Sequence, residues 1–272
     1  MVSRTVDTID PRGTPSVSLQ AADRWMFVFM AALFVVTVLV GFVPDSFARA
    51  AAIQAGQRPQ FHPMTHVHAV LMGAWLLLLL AQSALVASNR RVLHQRLGLV
   101  SLALVPAMVV AGIVLVPAVF REAWTFVTTP PPGVDAAVIA ETKALVSNIA
   151  LPQIRVGVLF PILVGWALWV RRTDPDTHKR LMILATALPL PAAMDRIEWL
   201  PTSLPTSFAS GDLYMLLWVA PMFLYDVIRR GRVQRAYAIW FLLGLPPTIA
   251  VHWLWGSPWW LATVPRLMGA EP

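Results

Sequence analysis

The chain has 272 residues, 57% of them hydrophobic and only 13% charged, with a formal net charge of +7 and no cysteine. So few charges exclude a disordered chain, which is charge-rich and apolar-poor, and leave too little polar surface for an ordinary soluble domain. The missing cysteines exclude a disulfide scaffold, thiolate zinc sites, iron–sulfur clusters and cysteine nucleophiles, and what remains is a polytopic membrane protein.

Residues 1–23 are polar and rich in Ser, Thr and Pro. A secretory leader needs an apolar stretch near its start, so this segment reads as a flexible cytoplasmic tail and the first helix as an uncleaved anchor. A spanning helix takes about 20 mostly apolar residues. The sequence predicts seven. They are about Trp25–Val43, ending at Pro44; Pro63–Ala87; Leu97–Val119; Leu145–Val170; Leu181–Leu200, interrupted by Pro189 and Pro191; Leu213–Ile228; and Ala236–Trp255, broken by Pro246 and Pro247. Residues 257–272 carry Trp259, Trp260 and Arg266. Tryptophan prefers the headgroup layer, so an interfacial segment is expected there. The predicted organisation is a tail (1–23), a membrane domain (24–256) and the interfacial end (257–272). The fold class is all-α, a seven-transmembrane-helix bundle.

Basic residues in the flanks set orientation. With the N-terminus inside, Arg4, Arg12, Arg24, Arg90, Arg91, Arg96, Arg171, Arg172, Lys179, Arg180, Arg229, Arg230, Arg232 and Arg235 fall on the cytoplasmic side. That is two-thirds of the 21 Lys and Arg. Arg49, Arg58, Arg121, Lys143, Arg155, Arg196 and Arg266 fall on the outer side. The expectation is N-in/C-out in a bacterial inner membrane. The positive charge is mostly a topology signal. A nucleic-acid partner would need a basic face on a soluble module, and none is present.

The third and fifth helices open alike, with His94-Gln95-Arg96-Leu97 and His178-Lys179-Arg180-Leu181, each after an arginine pair. This suggests two related hairpins. Basic groups at a helix N-terminus oppose its dipole. Lipid phosphate is the candidate partner of Arg96 and Arg180, although simple positive-inside anchoring is the plainer explanation of both.

The stretch Phe61-His62-Pro63-Met64-Thr65-His66-Val67-His68 holds three of the six histidines. Pro63 suits the first helical turn, which makes His62 the cap and puts His66 one turn further in. His68, about 200° round the helix from His66, shares a face with Met72, Trp75 and Gln82. Other helices bring Asn148 and Arg155, Asp195, Arg196 and Glu198, Asp212 and Tyr214, and Thr248 and His252 to a similar depth. Ionisable groups inside spans are costly and usually face a partner or a cavity. They suggest one outward polar cavity, or simple pairs such as Arg155 with Asp195 or Glu198.

Three chemistries suit such a set. The leading one is a metal-dependent enzyme for a lipid-like substrate, with zinc or iron on His62, His66, His68 and His252. In it Asp195 or Glu198 serves as ligand or base. Arg155, Arg196, Asn148, Tyr214 and Trp75 hold the substrate. The second is a haem b redox protein, with His66 or His68 and His252 as axial ligands. The third is a non-catalytic lipid-binding or transport protein. Phosphate loops, a Gly-x-Ser-x-Gly elbow and an HExxH pair are absent from the sequence.

The stretch FHPMTHVHAVLMGAWLLLLLAQSALVASNRRVLHQRLG, residues 61–98, resembles a segment recurring in uncharacterised bacterial multi-pass inner-membrane proteins. DPDTHKRLMILAT, residues 174–186, with Arg196 after it, resembles their second half. The resemblance implies a multi-pass topology and carries no assigned activity. Seven-helix zinc hydrolases, rhodopsins and b561-type cytochromes are poorer matches. Helix seven has His252 as its one histidine and no lysine, and the paired-histidine spacing of the cytochromes is missing.

Overall fold

The computed structural model describes residues 17–130 and 132–270. Ten helices and no strand lie among the described residues. They are α1 (Val17–Gln54), α2 (Pro63–Ala87), α3 (Arg91–Gly98), α4 (Ser101–Thr128), α5 (Ala136–Val170), α6 (Pro175–Ala187), α7 (Pro191–Met194), α8 (Ala209–Arg230), α9 (Arg235–Leu254) and α10 (Pro258–Leu267). Six stretches are long and apolar enough to cross a membrane: α1 from Ala22, α2, the α3–α4 run, α5, α8 and α9. Their outward faces stay apolar, with Val70 71%, Ile113 67% and Leu242 69% exposed. That is compatible with an integral membrane protein, because soluble surfaces rarely carry so continuous an apolar cover.

Several boundaries differ from expectation. The helix α1 begins at Val17, inside the expected tail; residues 1–16, with Arg4 and Arg12, lie outside the described residues. It also runs through Pro44. Proline removes one backbone donor and crowds the preceding turn, yet a long apolar helix keeps enough neighbouring bonds to continue. Pro106 and Pro117 in α4, and Pro152 and Pro161 in α5, are absorbed in the same way. The expected interfacial end folds as α10. Ser257 caps it, and Trp260 Nε1 donates to the Ser147 carbonyl at 2.8 Å, fastening it to α5.

The expected span Leu181–Leu200 is the one stretch without a long helix. The helix α6 stops at Ala187, a turn carries Leu188–Leu190, and α7 adds one short turn. Pro191 at the start of α7 has no N–H to continue the ladder. This broken rod is the core of the bundle. Leu181, Ile183, Leu184, Ala185 and Ala187 are at most 1% exposed. The helices α1, α5, α8 and α9 surround it. Near its start, Lys179 and Arg180 sit over the Phe27 ring of α1; near its end, Arg196 sits over Phe42 of the same helix. The fifteen residue steps from Phe27 to Phe42 put about 22 Å of α1 beside it. The two come close at Gly41, where an added Cβ would fall 2.1 Å from the Ala193 carbonyl oxygen.

Contacts gather the arginine-rich segments at one end. Arg24 donates to Asn89 in the α2–α3 turn. Asp23 accepts from Tyr225 at 2.7 Å and pairs with Arg229 at 3.5 Å. Asp176 meets Arg230 at 3.3 Å. At that end a buried network ties α6, α8 and α9 together. Asp226 accepts from Arg180 Nε at 2.6 Å and Nη2 at 2.5 Å, and from the Tyr237 hydroxyl at 2.7 Å. Arg180 therefore departs from the expected contact with lipid. Its side chain is 1% exposed and fully engaged with protein, so it does not face lipid phosphate. Arg96 lies exposed on α3, beside Arg90 and Arg91.

Candidate functional site

At the opposite end, three helices bring charged groups together. Asn148 and Arg155 lie two turns apart on α5, and both side chains point inward. Asp212 stands in the first turn of α8, where a helix dipole favours an anion. Thr248 and His252 are one turn apart at the end of α9, hence on one face. A histidine is favourable in a last turn for the same dipole reason.

The Asp212 carboxylate is the hub. Its Oδ1 lies 2.7 Å from Arg155 Nη2, and its Oδ2 lies 2.8 Å from His252 Nε2. Arg155 Nη1 also donates to Thr248 Oγ1 at 3.0 Å. The Arg155 side chain is 2% exposed, Asp212 13% and His252 38%, so access narrows inward from the histidine. A carboxylate only accepts hydrogen bonds. His252 therefore carries its proton on Nε2 when neutral, and its Nδ1 keeps a free lone pair.

Aromatic packing supports this hub. The Phe208 ring lies 5.4 Å from the Arg155 guanidinium and 6.1 Å from the Trp255 ring. Gly211 makes room for it, since a Cβ there would come within 2.6 Å of Phe208. Trp255 Nε1 donates to the Pro205 carbonyl at 3.1 Å. Asn148 Oδ1 accepts the Gly256 N–H at 2.9 Å and fixes the turn after α9. Asn148 is therefore committed to backbone rather than open to a substrate.

The other expected site residues scatter. His62 caps α2 as expected, its Nδ1 accepting the Met64 N–H at 3.2 Å. His66 is exposed, edge-on to Phe61 at 5.7 Å. His68 is half-buried, and its Nδ1 has no partner among the described residues. Among the described residues no group of three His, Asp or Glu side chains is placed to hold a metal ion. The expected set of His62, His66, His68 and His252 fails for a physical reason. The helix α2 packs on α1 and α4, whereas α9 packs on α5 and α6. The same separation leaves the residues unsuited to the expected haem pair of His66 or His68 with His252, and His252 is already held by Asp212.

Trp75 is also a core residue rather than a substrate contact. It is 1% exposed, packs edge-on against Phe160 at 5.3 Å and donates to Thr186 Oγ1 at 3.1 Å. Arg196 pairs with Asp45 at 3.1 Å. Asp195 follows α7, and Glu198 is exposed. The carboxylate beside Arg155 is Asp212, not Asp195 or Glu198. Tyr214 donates to the Pro201 carbonyl. Asp212 belongs to the expected polar set without a role of its own there, although the sequence holds a signal for one. Asp212 and His252 lie about equally far from the Gly231–Gln234 turn joining α8 to α9, so an antiparallel pair brings them to one depth.

Fold and site together define an all-helical bundle with six apolar helices and a buried Arg–Asp–His cluster at one end. No family model, curated protein or solved structure matches the chain.

Proposed function

We propose that this protein is a seven-crossing bacterial inner-membrane protein, N-in and C-out, that performs acid–base chemistry on a lipid-like molecule at its outer face. The broken α6–α7 rod makes the seventh crossing. It escapes a length-and-hydropathy test because its proline-broken halves are short, while its packing runs beside about 22 Å of α1. The arginine-rich end is cytoplasmic under the positive-inside rule. That places Arg155, Asp212 and His252 on the outer side.

The carrying observation is the hydrogen bond from His252 to Asp212, with the imidazole the most exposed member of the cluster. Asp212 fixes the ring and stabilises the imidazolium when Nδ1 takes a proton, which is how a carboxylate supports a histidine base. Arg155 holds the carboxylate in place from its buried side. The donor set favours this over a metal centre, since a single imidazole bound to a carboxylate that already serves arginine offers too few ligands. Arg96, on the cytoplasmic face, is left to interact with anionic lipid headgroups.

The test is lipid turnover. Wild-type protein in vesicles of total bacterial lipid extract should change at least one lipid species, read by mass spectrometry. His252→Ala should slow this by roughly 100- to 10,000-fold, the usual worth of a general base. Turnover unaffected by His252→Ala, or none with the wild type, overturns the proposal.

A further inference from the structure

Several basic residues at the arginine-rich end are neutralised by protein: Arg229 by Asp23, Arg230 and Lys179 by Asp176, and Arg180 by Asp226. The α2–α3 turn is different. There Asn89, Arg90, Arg91, Val92, Leu93 and Arg96 line a cavity of about 340 Å³. Among the described residues Arg90, Arg91 and Arg96 have no ion pair and no side-chain hydrogen bond. The sequence explains the missing counter-charge. Between Asp45 and Glu122 the chain holds no Asp or Glu, so α2, α3 and most of α4 supply none. On α1, Asp23 is taken by Tyr225 and Arg229, and its neighbour Arg24 adds another cation by donating to Asn89 Oδ1. Asn89 stands at φ 61°, in the left-handed region that asparagine tolerates. The turn it makes sets Arg90 and Arg91 at the start of α3, where the helix dipole disfavours positive charge. Arg96 follows one turn later, on the face of Val92 and Leu93. Val92 is 65% and Leu93 49% exposed, and the apolar cover continues through Leu99 and Leu102 onto the outward wall of α4.

We infer that this pocket binds the phosphate headgroup of an anionic phospholipid, held by Arg90, Arg91 and Arg96, with the start of its acyl chains on Val92, Leu93 and Leu99. This rests on the reading of Arg96 and of the cytoplasmic end given above, and widens it from one residue to a pocket. A guanidinium is a planar fork that meets two phosphate oxygens at once. Three such forks without a carboxylate are complementary in charge to a phosphodiester bearing a net negative head. The apolar wall separates a lipid from a free ion. Inorganic phosphate would leave Val92 and Leu93 bare to water, whereas a lipid covers them and gains by it. The site also differs from general anchoring. Positive-inside anchoring counts basic residues wherever they fall in a loop, whereas this pocket depends on three particular ones.

The experiment titrates the full chain in neutral detergent with phosphatidylglycerol or phosphatidylcholine of identical chains, and counts bound lipid by native mass spectrometry. The wild type should bind phosphatidylglycerol roughly 100-fold more tightly than phosphatidylcholine, about fivefold for each arginine. Arg91→Gln should weaken phosphatidylglycerol by about fivefold, and Arg90→Gln, Arg91→Gln and Arg96→Gln together by about 100-fold. The control combines Arg171→Gln, Arg172→Gln and Arg232→Gln. It removes the same charge from the same end outside the pocket, and should change the affinity by no more than about twofold, since distant exposed charges are screened. All variants are checked by size exclusion, and Arg91→Gln alone carries the test if the triple variant misfolds. Equal affinity for the two lipids, or a control triple as weak as the pocket triple, would overturn the pocket. Inorganic phosphate that displaces the lipid would assign the arginines to a soluble ion and overturn the lipid. Binding is read here without turnover and at the opposite end from His252. Loss of the pocket therefore leaves the acid–base reading standing, and absence of turnover leaves the pocket standing.

Discussion

Asp226→Ala should be among the most damaging single changes in the chain. Asp226 is 2% exposed and accepts three hydrogen bonds, two from Arg180 and one from Tyr237. Truncation leaves the Arg180 guanidinium, on a side chain 1% exposed, facing an empty pocket. Its remaining carboxylate is Asp176 at 3.3 Å, half exposed and shared with Lys179 and Arg230. Breaking a buried ion pair from one side costs about 3–5 kcal/mol. At roughly 3 °C per kcal/mol for a chain of this size, the midpoint should fall by about 10–15 °C. Replacing both partners, as Arg180→Met with Asp226→Leu, removes the buried charge and should recover most of the loss. Tyr237→Phe removes one donor and should cost about 1 kcal/mol. The assay is thermal unfolding in detergent, followed by tryptophan fluorescence and loss of the monodisperse peak. A double variant no more stable than Asp226→Ala would refute the reasoning, because the damage would then not come from an orphaned guanidinium.

Gly41→Ala should destabilise by about 1–3 kcal/mol as α1 is pushed from α7, while Gly157→Ala, with open space around its Cβ, should not; the same melts compare them. Asp174 caps α6 by accepting the Thr177 N–H at 3.0 Å, and that hydrogen bonding holds its carboxyl below the usual range. The cap's contribution is therefore complete above the unfolded carboxyl pKa and fades as pH drops through the depressed folded value. Asp174→Ala should cost about 1 kcal/mol at neutral pH, with the difference from wild type shrinking in acid melts. The orientation is checked by Gln57→Cys in the cysteine-free chain, which a membrane-impermeant maleimide should label from outside intact cells. Labelling only after the cytoplasmic face is opened would reverse the topology.

Fold class was legible in the sequence because a bilayer imposes a simple rule, and the apolar runs of α2, α5, α8 and α9 obey it. The α6–α7 rod was legible as apolar, and its two prolines foretold the break. Its central position was not, because burial inside a bundle and burial in lipid select the same side chains. The His62 cap was readable from Pro63 beside it. The partner of Arg155 was not. Asp195 and Glu198 attract attention as a close carboxylate pair, whereas Asp212 is a lone acid at a helix start. Only the antiparallel pairing of α8 with α9 puts it opposite His252. Arg180 misled for a related reason. It sits in a basic motif that matches the exposed Arg96, and its counter-charge, Asp226, lies a full helix further along the chain.

The central claim is that Asp212 and His252 form a working acid–base pair for an outer-face amphiphile. The most direct measurement is lipid turnover in vesicles of total bacterial lipid extract by the wild type, Asp212→Asn and His252→Ala. One lipid species should be changed by the wild type, and its turnover slowed in both variants by at least about 100-fold, with all three proteins equally folded. Equal rates in the three, or an unchanged lipid profile with the wild type, would contradict it.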